Sequence, residues 1–338
     1  MIITQTPFRM SFFGGGTDFP GFYKEYSGSV LSTTFDKYCY VTVRHLPPFF
    51  KYSSELVYSK LERVTDVKEI VHPAIREAMK WFDMHELRIT YEADLPARTG
   101  LGTSSSFAVG ILHAFYALKG KYVDKRQLAD DAIYLERTLC AESGGVQDQI
   151  AASFGGFNRI NFSADGYEVN PVILSDEKKK ELSNNLMLFF TGFSRFSAQV
   201  QVAHEQALKD KTAQLLEMKA LVDEAEKLLT GKGELNEFGR LLDYTWKLKR
   251  GITTKVSSDS IDEIYERAMC AGAAGGKLLG AGGGGFLLFY VEKEKQQCVR
   301  DALEYLMEVP FQFENGGTRV MYFVPETYTR TQVKGVKE

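Results

Sequence analysis

Paired cysteines, an excess of either charge and a long apolar run are all missing from this chain. Its four cysteines, Cys39, Cys140, Cys270 and Cys298, stand far apart and form no Cys-x-x-Cys pair, which excludes a zinc cluster or a disulfide framework as the organising element. Reduced thiols are the corresponding expectation. With 41 basic and 44 acidic residues the formal charge is only −3 and the isoelectric point lies near 6.1, so nothing draws the chain to nucleic acid or to an anionic membrane in general. Any anion must be met by a local site. No apolar run approaches the roughly 20 residues of a membrane span. The opening Ile-Ile-Thr-Gln-Thr-Pro-Phe-Arg carries no basic region followed by an apolar core. The expectation is a cytoplasmic protein without nucleic-acid or membrane partners, monomeric or homodimeric. Repeats of fixed period and low-complexity tracts are absent too.

What is present fits about two globular domains: 338 residues, 44% of them apolar and 25% charged. Residues 2 to 13 have strand composition and end in Gly14-Gly15-Gly16-Thr17-Asp18. Strand patterns return over Gly28 to Arg44, while Lys51 to Lys68 fits no single pattern. Pro73 to Phe82 and Lys125 to Cys140 read as amphipathic helices, and a short helix is expected from Val146. A polar, turn-rich stretch from about Asp165 to Asn185 suits a domain boundary, its charge run forming a solvated helix face. Beyond it a buried strand at Leu186 to Phe190 is followed by helices over about 198 to 229, 236 to 249 and 260 to 271. Strands at Gly275 to Val291 and Arg319 to Val324 flank a helix from Glu294 to Met307, and this mixture predicts an α+β second domain.

One stretch stands out, Asp94 to Gly110. Leu87, Ile89 and Tyr91 alternate before it as in a half-buried strand, and Phe107, Ile111, Phe115 and Leu118 recur at helical spacing after it. A strand therefore runs through a glycine and hydroxyl loop into a helix start, where unpaired backbone N–H groups and the helix dipole favour an anion. Gly100 and Gly102 allow close approach, and Thr103, Ser104, Ser105 and Ser106 supply four hydroxyls. Taken alone the stretch equally suits an ordinary capped helix, although one cap does not need four hydroxyls.

The familiar nucleotide fingerprints do not fit. Around Gly276-Lys277 the P-loop pattern fails at Ala271 and again at Leu278. Gly280-Ala-Gly282-Gly-Gly-Gly285 matches Gly-x-Gly-x-x-Gly but leads into the apolar strand Phe286 to Val291 instead of a helix, so the context of a dinucleotide-binding unit is missing. Three segments in order do match one family. Pro7-Phe-Arg-Met-Ser-Phe-Phe-Gly-Gly-Gly-Thr-Asp18, Pro96-Ala-Arg-Thr-Gly-Leu-Gly-Thr-Ser-Ser105 and Lys277-Leu-Leu-Gly-Ala-Gly-Gly-Gly-Gly-Phe286 resemble the three motifs of the GHMP kinases, which include galactokinase, homoserine kinase, mevalonate kinase and phosphomevalonate kinase.

The resemblance implies an α+β fold in two domains: an N-terminal mixed α/β domain at 1–178 holding the phosphate loop, and a C-terminal ferredoxin-like α+β domain at 179–338. It implies ATP-dependent phosphoryl transfer to a small-molecule hydroxyl, with Gly100, Leu101, Gly102, Thr103, Ser104, Ser105 and Ser106 around the ATP phosphates. That chemistry needs a divalent ion, a cation at the transferring group and a carboxylate at the attacking hydroxyl. Ser104 and Glu136 match the family's Mg²⁺ ligands, and oxygen donors of that kind suit a partly hydrated Mg²⁺. Asp148 matches the aspartate at the acceptor hydroxyl, and Arg9 the arginine that pairs with it in the sugar-kinase branch. Gly280, Gly282, Gly283 and Gly284 are expected to support the phosphate loop without side-chain chemistry.

For the acceptor, Asp18 matches the sugar-contacting aspartate of galactokinases, but Gly15 and Gly16 replace two polar residues of that segment. The glycine-rich version resembles the D-glycero-D-manno-heptose 7-phosphate kinases, which phosphorylate an anomeric hydroxyl. The implied reaction gives the 1,7-bisphosphate for nucleotide-activated heptose synthesis. Other sugar 1-kinases, fucokinase-like or galactokinase-like, are the alternative, as is a silent sugar and ATP sensor; Arg9, Ser104, Glu136 and Asp148 together argue against the sensor. A phosphorylated acceptor calls for a cationic clamp, for which Arg195, Lys249 and Arg250 are the candidates.

Overall fold

The computed structural model describes residues 1–47, 49–192, 210–252, 256–280 and 282–325. Strand β1 (Ile2–Phe13) is almost entirely buried and pairs antiparallel with the 18-residue β2 (Gly28–His45) along most of its length. The two lie side by side in the middle of a sheet that has nine strands among the described residues. One half of β2 pairs with β5 (Leu87–Ala93), which is parallel to β3 (Ser54–Val57); β3 in turn pairs with β4 (Leu61–Val64). Those last two short strands occupy the region that fits no single sequence pattern. The other half of β2 pairs with β6 (Phe157–Ser163), and β6 with β7 (Gly166–Pro171).

The helix Thr103–Leu118 lies on β1 and β2. Gly110 brings them together: a Cβ there would stand 2.9 Å from Thr6 Oγ1, and Thr4 Oγ1 donates to the Gly110 carbonyl at 2.9 Å. Val41, Val43, Ile89, Phe107, Ile111 and Phe115 fill the layer between helix and sheet. Each such side chain, fully buried, contributes about 1.5–3 kcal/mol. The expected helix from Lys125 to Cys140 is α-helical over Lys125–Tyr134 and widens to a π-helical turn over Leu135–Leu139.

A second sheet is built from β8 (Leu186–Phe190), β9 (Gly275–Leu278), β10 (Phe286–Tyr290) and β11 (Met307–Glu308), in the order β11-β8-β10-β9 and antiparallel throughout. Helices Thr212–Thr230, Asn236–Arg250 and Asp259–Cys270 separate β8 from β9, and Gln296–Ala302 separates β10 from β11. Strand, helices, two strands, helix, strand along the chain, with the strands side by side as β11-β8-β10-β9, is the ferredoxin-like arrangement.

Two segments depart from the sequence-based division. Arg319–Phe323, grouped by sequence with the second domain, forms β13 on the edge of the first sheet, with Ile2 opposite Phe323. Just before it, β12 (Phe313–Glu314) pairs with β2. The reason is geometric, since β1 has an edge over Ile2 to Gln5 whose backbone groups the returning strand pairs. The halves also share a core, in which Phe8, Met10 and Phe12 of β1 meet Leu188, Phe238 and Phe286. Among the described residues no helix is long and apolar enough to cross a membrane.

Candidate active site

The site forms where the outer edge of β1 receives the glycine and hydroxyl loop. Past Gln5 that edge is taken by the loop itself: Arg9 N donates to the Leu101 carbonyl at 3.1 Å, and Ser106 Oγ to the Pro7 carbonyl at 2.9 Å. Gly102 precedes the helix in a left-handed conformation, with no side-chain cap on the first turn. Its hydroxyls are engaged elsewhere. Ser104 Oγ donates to Glu136 Oε1 at 2.9 Å, Ser105 Oγ to Oε2 at 2.7 Å, and Thr103 Oγ1 accepts from Arg98 N at 3.1 Å. The helix start therefore keeps its N–H groups available for an anion, and the plain-cap reading falls away.

Glu136 sits in the π-helical turn and is 4% exposed. Gln149 Nε2 also donates to it, so the three side chains that hold this carboxylate are all neutral. Burial pushes its carboxyl up to about 7, against the opposing hydrogen bonds from Ser105, Gln149 and Ser104. A buried carboxylate with neutral partners, beside a serine hydroxyl at a phosphate-accepting helix start, suits a hard divalent cation that takes its other ligands from phosphate and water. Among the described residues no group of three or more His, Cys, Asp or Glu could enclose a metal by itself.

Arg9 is 5% exposed and meets Asp148 in a two-pronged pair: Nε to Oδ1 at 2.7 Å and Nη2 to Oδ2 at 2.8 Å. Its third prong, Nη1, donates to the Gly100 carbonyl at 2.7 Å, so one guanidinium ties strand, loop and carboxylate together. Asp148 lies in the first turn of the helix Gln147–Phe154 and keeps a quarter of its side chain exposed. A Cβ added to Gly102 would lie 3.2 Å from Arg9 Cγ and 3.4 Å from Asp148 Cγ, which puts the pair directly beneath the loop.

Asp18 is 2% exposed and accepts from Gly16 N at 3.0 Å and Gln147 N at 3.3 Å. Burial raises its pKa, and the Asp148 charge raises it further. Gly15 borders open space: a Cβ added there would have Ser11 Oγ, 3.9 Å away, as its nearest neighbour. Ser11 Oγ and Gln147 Oε1, both buried, have no hydrogen-bond partner.

The third glycine segment closes the back of the loop, backbone against backbone. A Cβ on Gly280 would fall 2.2 Å from Gly100 Cα, one on Gly100 2.3 Å from the Leu279 carbonyl, and one on Gly285 2.2 Å from the Thr99 carbonyl. Gly282 and Gly283 face a different neighbour: Gly283 N donates to the Val256 carbonyl at 3.0 Å, and Gly282 presses on the same residue. Gly284, with a φ of +139°, links that contact to Gly285.

The clamp candidates separate. Lys249 is 6% exposed, in the last turn of its helix, and donates to the Leu278 carbonyl at 3.4 Å and to that of Gly280. Burial, then the Arg9 charge, lowers its pKa to about 7, with Asp18 opposing. Arg250 turns the other way and pairs with Asp262, so it is removed from the site. Arg195 lies outside the described residues.

Residues 66–156 match the model of the GHMP kinase N-terminal domain, and residues 218–308 that of the C-terminal domain. The chain is 30% identical over 320 residues to the D-glycero-alpha-D-manno-heptose 7-phosphate kinase of Campylobacter jejuni subsp. jejuni serotype O:2, covering 89% of this chain and 93% of that protein. This chain belongs to the GHMP kinase family. It is an ATP-dependent phosphotransferase of the sugar-kinase kind. A galactokinase of Pyrococcus furiosus is 27% identical over 90% of this chain and 94% of its own. A crystal structure described as a D-glycero-D-manno-heptose 1-phosphate kinase from Bacteriodes thetaiotaomicron superposes with a TM-score of 0.76, at 26% identity, over 96% of this GHMP kinase and all of that chain, 100%.

Sequence reasoning misses Ser105 and Gln149 as holders of Glu136, and it misses Lys277. Its motif places Ser105 only at the phosphates, and Gln149 carries no signal by itself. A lysine in an otherwise apolar and glycine strand is a readable signal.

Proposed function

We propose that this kinase phosphorylates the anomeric hydroxyl of D-glycero-D-manno-heptose 7-phosphate, giving the 1,7-bisphosphate. The observation that carries the reading is the Arg9–Asp148 pair seated under Gly102, with Asp18 buried alongside. In this mechanism the ATP phosphates rest on the backbone N–H groups at 102 to 105, since Ser106 N already donates to the Gly102 carbonyl at 2.9 Å. Ser104 and Glu136 would hold a Mg²⁺, which would supply positive charge against the phosphates. The acceptor hydroxyl is directed at the γ-phosphorus by Asp148. As the new O–P bond forms, the bond from the γ-phosphorus to the bridging oxygen breaks, ADP leaves and Asp148 takes the proton. Arg9 holds Asp148 in place through its two-pronged pair and stabilises charge growing on the transferred group.

Asp18, with Gln147 and Ser11, faces the sugar hydroxyls, and the open side of Gly15 gives room to a sugar longer than a hexose. Lys249 supplies positive charge on the same side. The heptose 7-phosphate relative, similar over nearly its whole length, supports the acceptor class. The test is a panel with ATP and Mg²⁺: heptose 7-phosphate, heptose 1-phosphate, free heptose, galactose, fucose and mevalonate. Highest kcat/KM on the 7-phosphate, with product phosphorylated at C1, is expected. Preference for an unphosphorylated hexose would overturn the heptose assignment.

A further inference from the structure

Lys277 is buried at the start of the third glycine segment, 3% exposed, and makes one hydrogen bond, from Nζ to the Phe12 carbonyl at 2.6 Å. No carboxylate among the described residues pairs with it; its charged neighbours are Lys249 and Arg9. An amine in such a place costs stability that a methionine of like size would not, so its hydrogen bond is where its purpose must be sought.

The carbonyl it reaches is special. Along β1, Ser11 faces Ser32 and Phe13 faces Leu31, so Phe12 is the extra residue of a β-bulge. A bulge leaves a backbone group off the ladder and bends the strand. Here the bend turns β1 into Gly14-Gly15-Gly16-Thr17-Asp18, and the amine of Lys277 satisfies the carbonyl left over. Just beyond Lys277, Leu279 and Gly280 press on Gly100 of the phosphate loop. One short buried strand thus contacts the root of the acceptor loop at one point and the nucleotide loop at the next.

We propose that Lys277 is a positioning residue, which through the bulged Phe12 carbonyl sets the acceptor loop and its Asp18 in register with the phosphate loop. The bond needs only an N–H donor, so it survives burial, which drives the amine well below its ordinary pKa. This role rests on the acceptor side of the site as described under the proposed function. It is tested with whichever sugar the wild type phosphorylates best, so a wrong acceptor would appear in the wild-type panel and leave the comparison intact.

Lys277→Met keeps the length and removes the donor; Lys277→Gln keeps a donor. For the methionine variant the acceptor KM should rise and kcat fall, together about a hundredfold in kcat/KM, the scale of a small misplacement of reacting groups. Nucleotide Kd should stay within about twofold and the melting temperature should hold or rise, because a buried amine has gone. The glutamine variant should recover part of the acceptor KM. Unchanged kinetics in Lys277→Met would overturn the proposal. So would equal losses of nucleotide and acceptor affinity with a lowered melting temperature, or failure of both variants to fold, each of which marks a structural support only.

Discussion

Asp18 and Gly145 are in such close contact that a Cβ on the glycine would stand 1.8 Å from Asp18 Oδ2. The buried carboxylate is therefore held between its own loop and the turn leading into the Asp148 helix, where Val146 N also donates to the Asp18 carbonyl at 3.2 Å. Gly145→Ala should push Asp18 out of place. The expected result is a loss of about tenfold or more in kcat/KM for the acceptor, and about 1–3 kcal/mol of stability from overpacking. ATP affinity should persist, since the phosphate loop is untouched. Steady-state kinetics with calorimetric ATP binding checks this, and an alanine variant with wild-type acceptor KM would count against Asp18 as a sugar contact.

Asp148→Asn keeps the shape and removes the charge and the proton acceptor. Turnover should fall by about 10²–10⁴-fold, the usual range for losing a positioned base. Arg9 loses its counter-charge in the same step, so ATP binding should hold or tighten. Turnover near the wild-type rate would remove Asp148 from the chemistry.

Glu136→Gln retains the hydrogen bonds to Ser104 and Ser105 in part and removes the negative charge. The Mg²⁺ concentration for half-maximal activity should rise by about tenfold, the scale usual for a disturbed metal site. The variant should also melt higher than wild type without metal near neutral pH, because burial disfavours this carboxylate when ionised. A Mg²⁺ titration superimposable on wild type would exclude Glu136 as a ligand.

Lys249 carries a pH signature. Its folded pKa of about 7 lies below the ordinary 10.5, so between those values the unfolded chain binds more protons than the folded one. Stability then rises with pH across that window, the penalty being full below about 7 and gone above 10.5. Lys249→Met lacks that dependence. Its melting temperature relative to wild type should be highest at pH 7 and decline towards pH 10, and a constant difference would show that the lysine is not a buried cation. Acceptor KM, measured on the same variant, should rise more for a phosphorylated sugar than for a free one.

Most of the first half of the site was legible in local pattern. A strand, a glycine and hydroxyl loop and a helix of 3.6 periodicity specify a helix start whatever surrounds it, and Thr103–Leu118 forms there. Local pattern did not reveal what the hydroxyls would do: Ser104 and Ser105 find Glu136 more than thirty residues on, through a π-helical turn that periodicity reads as plain helix. Arg250 and Lys249 show the same limit. Adjacent in sequence, they point to different faces of the helix Asn236–Arg250, one to Asp262 and the other into the site.

Local pattern was enough to read the family and the α+β class, because three glycine motifs in order and the spacing of apolar positions are written locally. Which groups meet was settled by the folded chain. It brought Arg9 onto Asp148 across 139 positions, returned Arg319–Phe323 to the first sheet, and turned Lys277 towards the bulge at Phe12. Those choices depend on where an open strand edge or an unpaired carbonyl is left to be satisfied, and that is fixed by the packing of the whole chain.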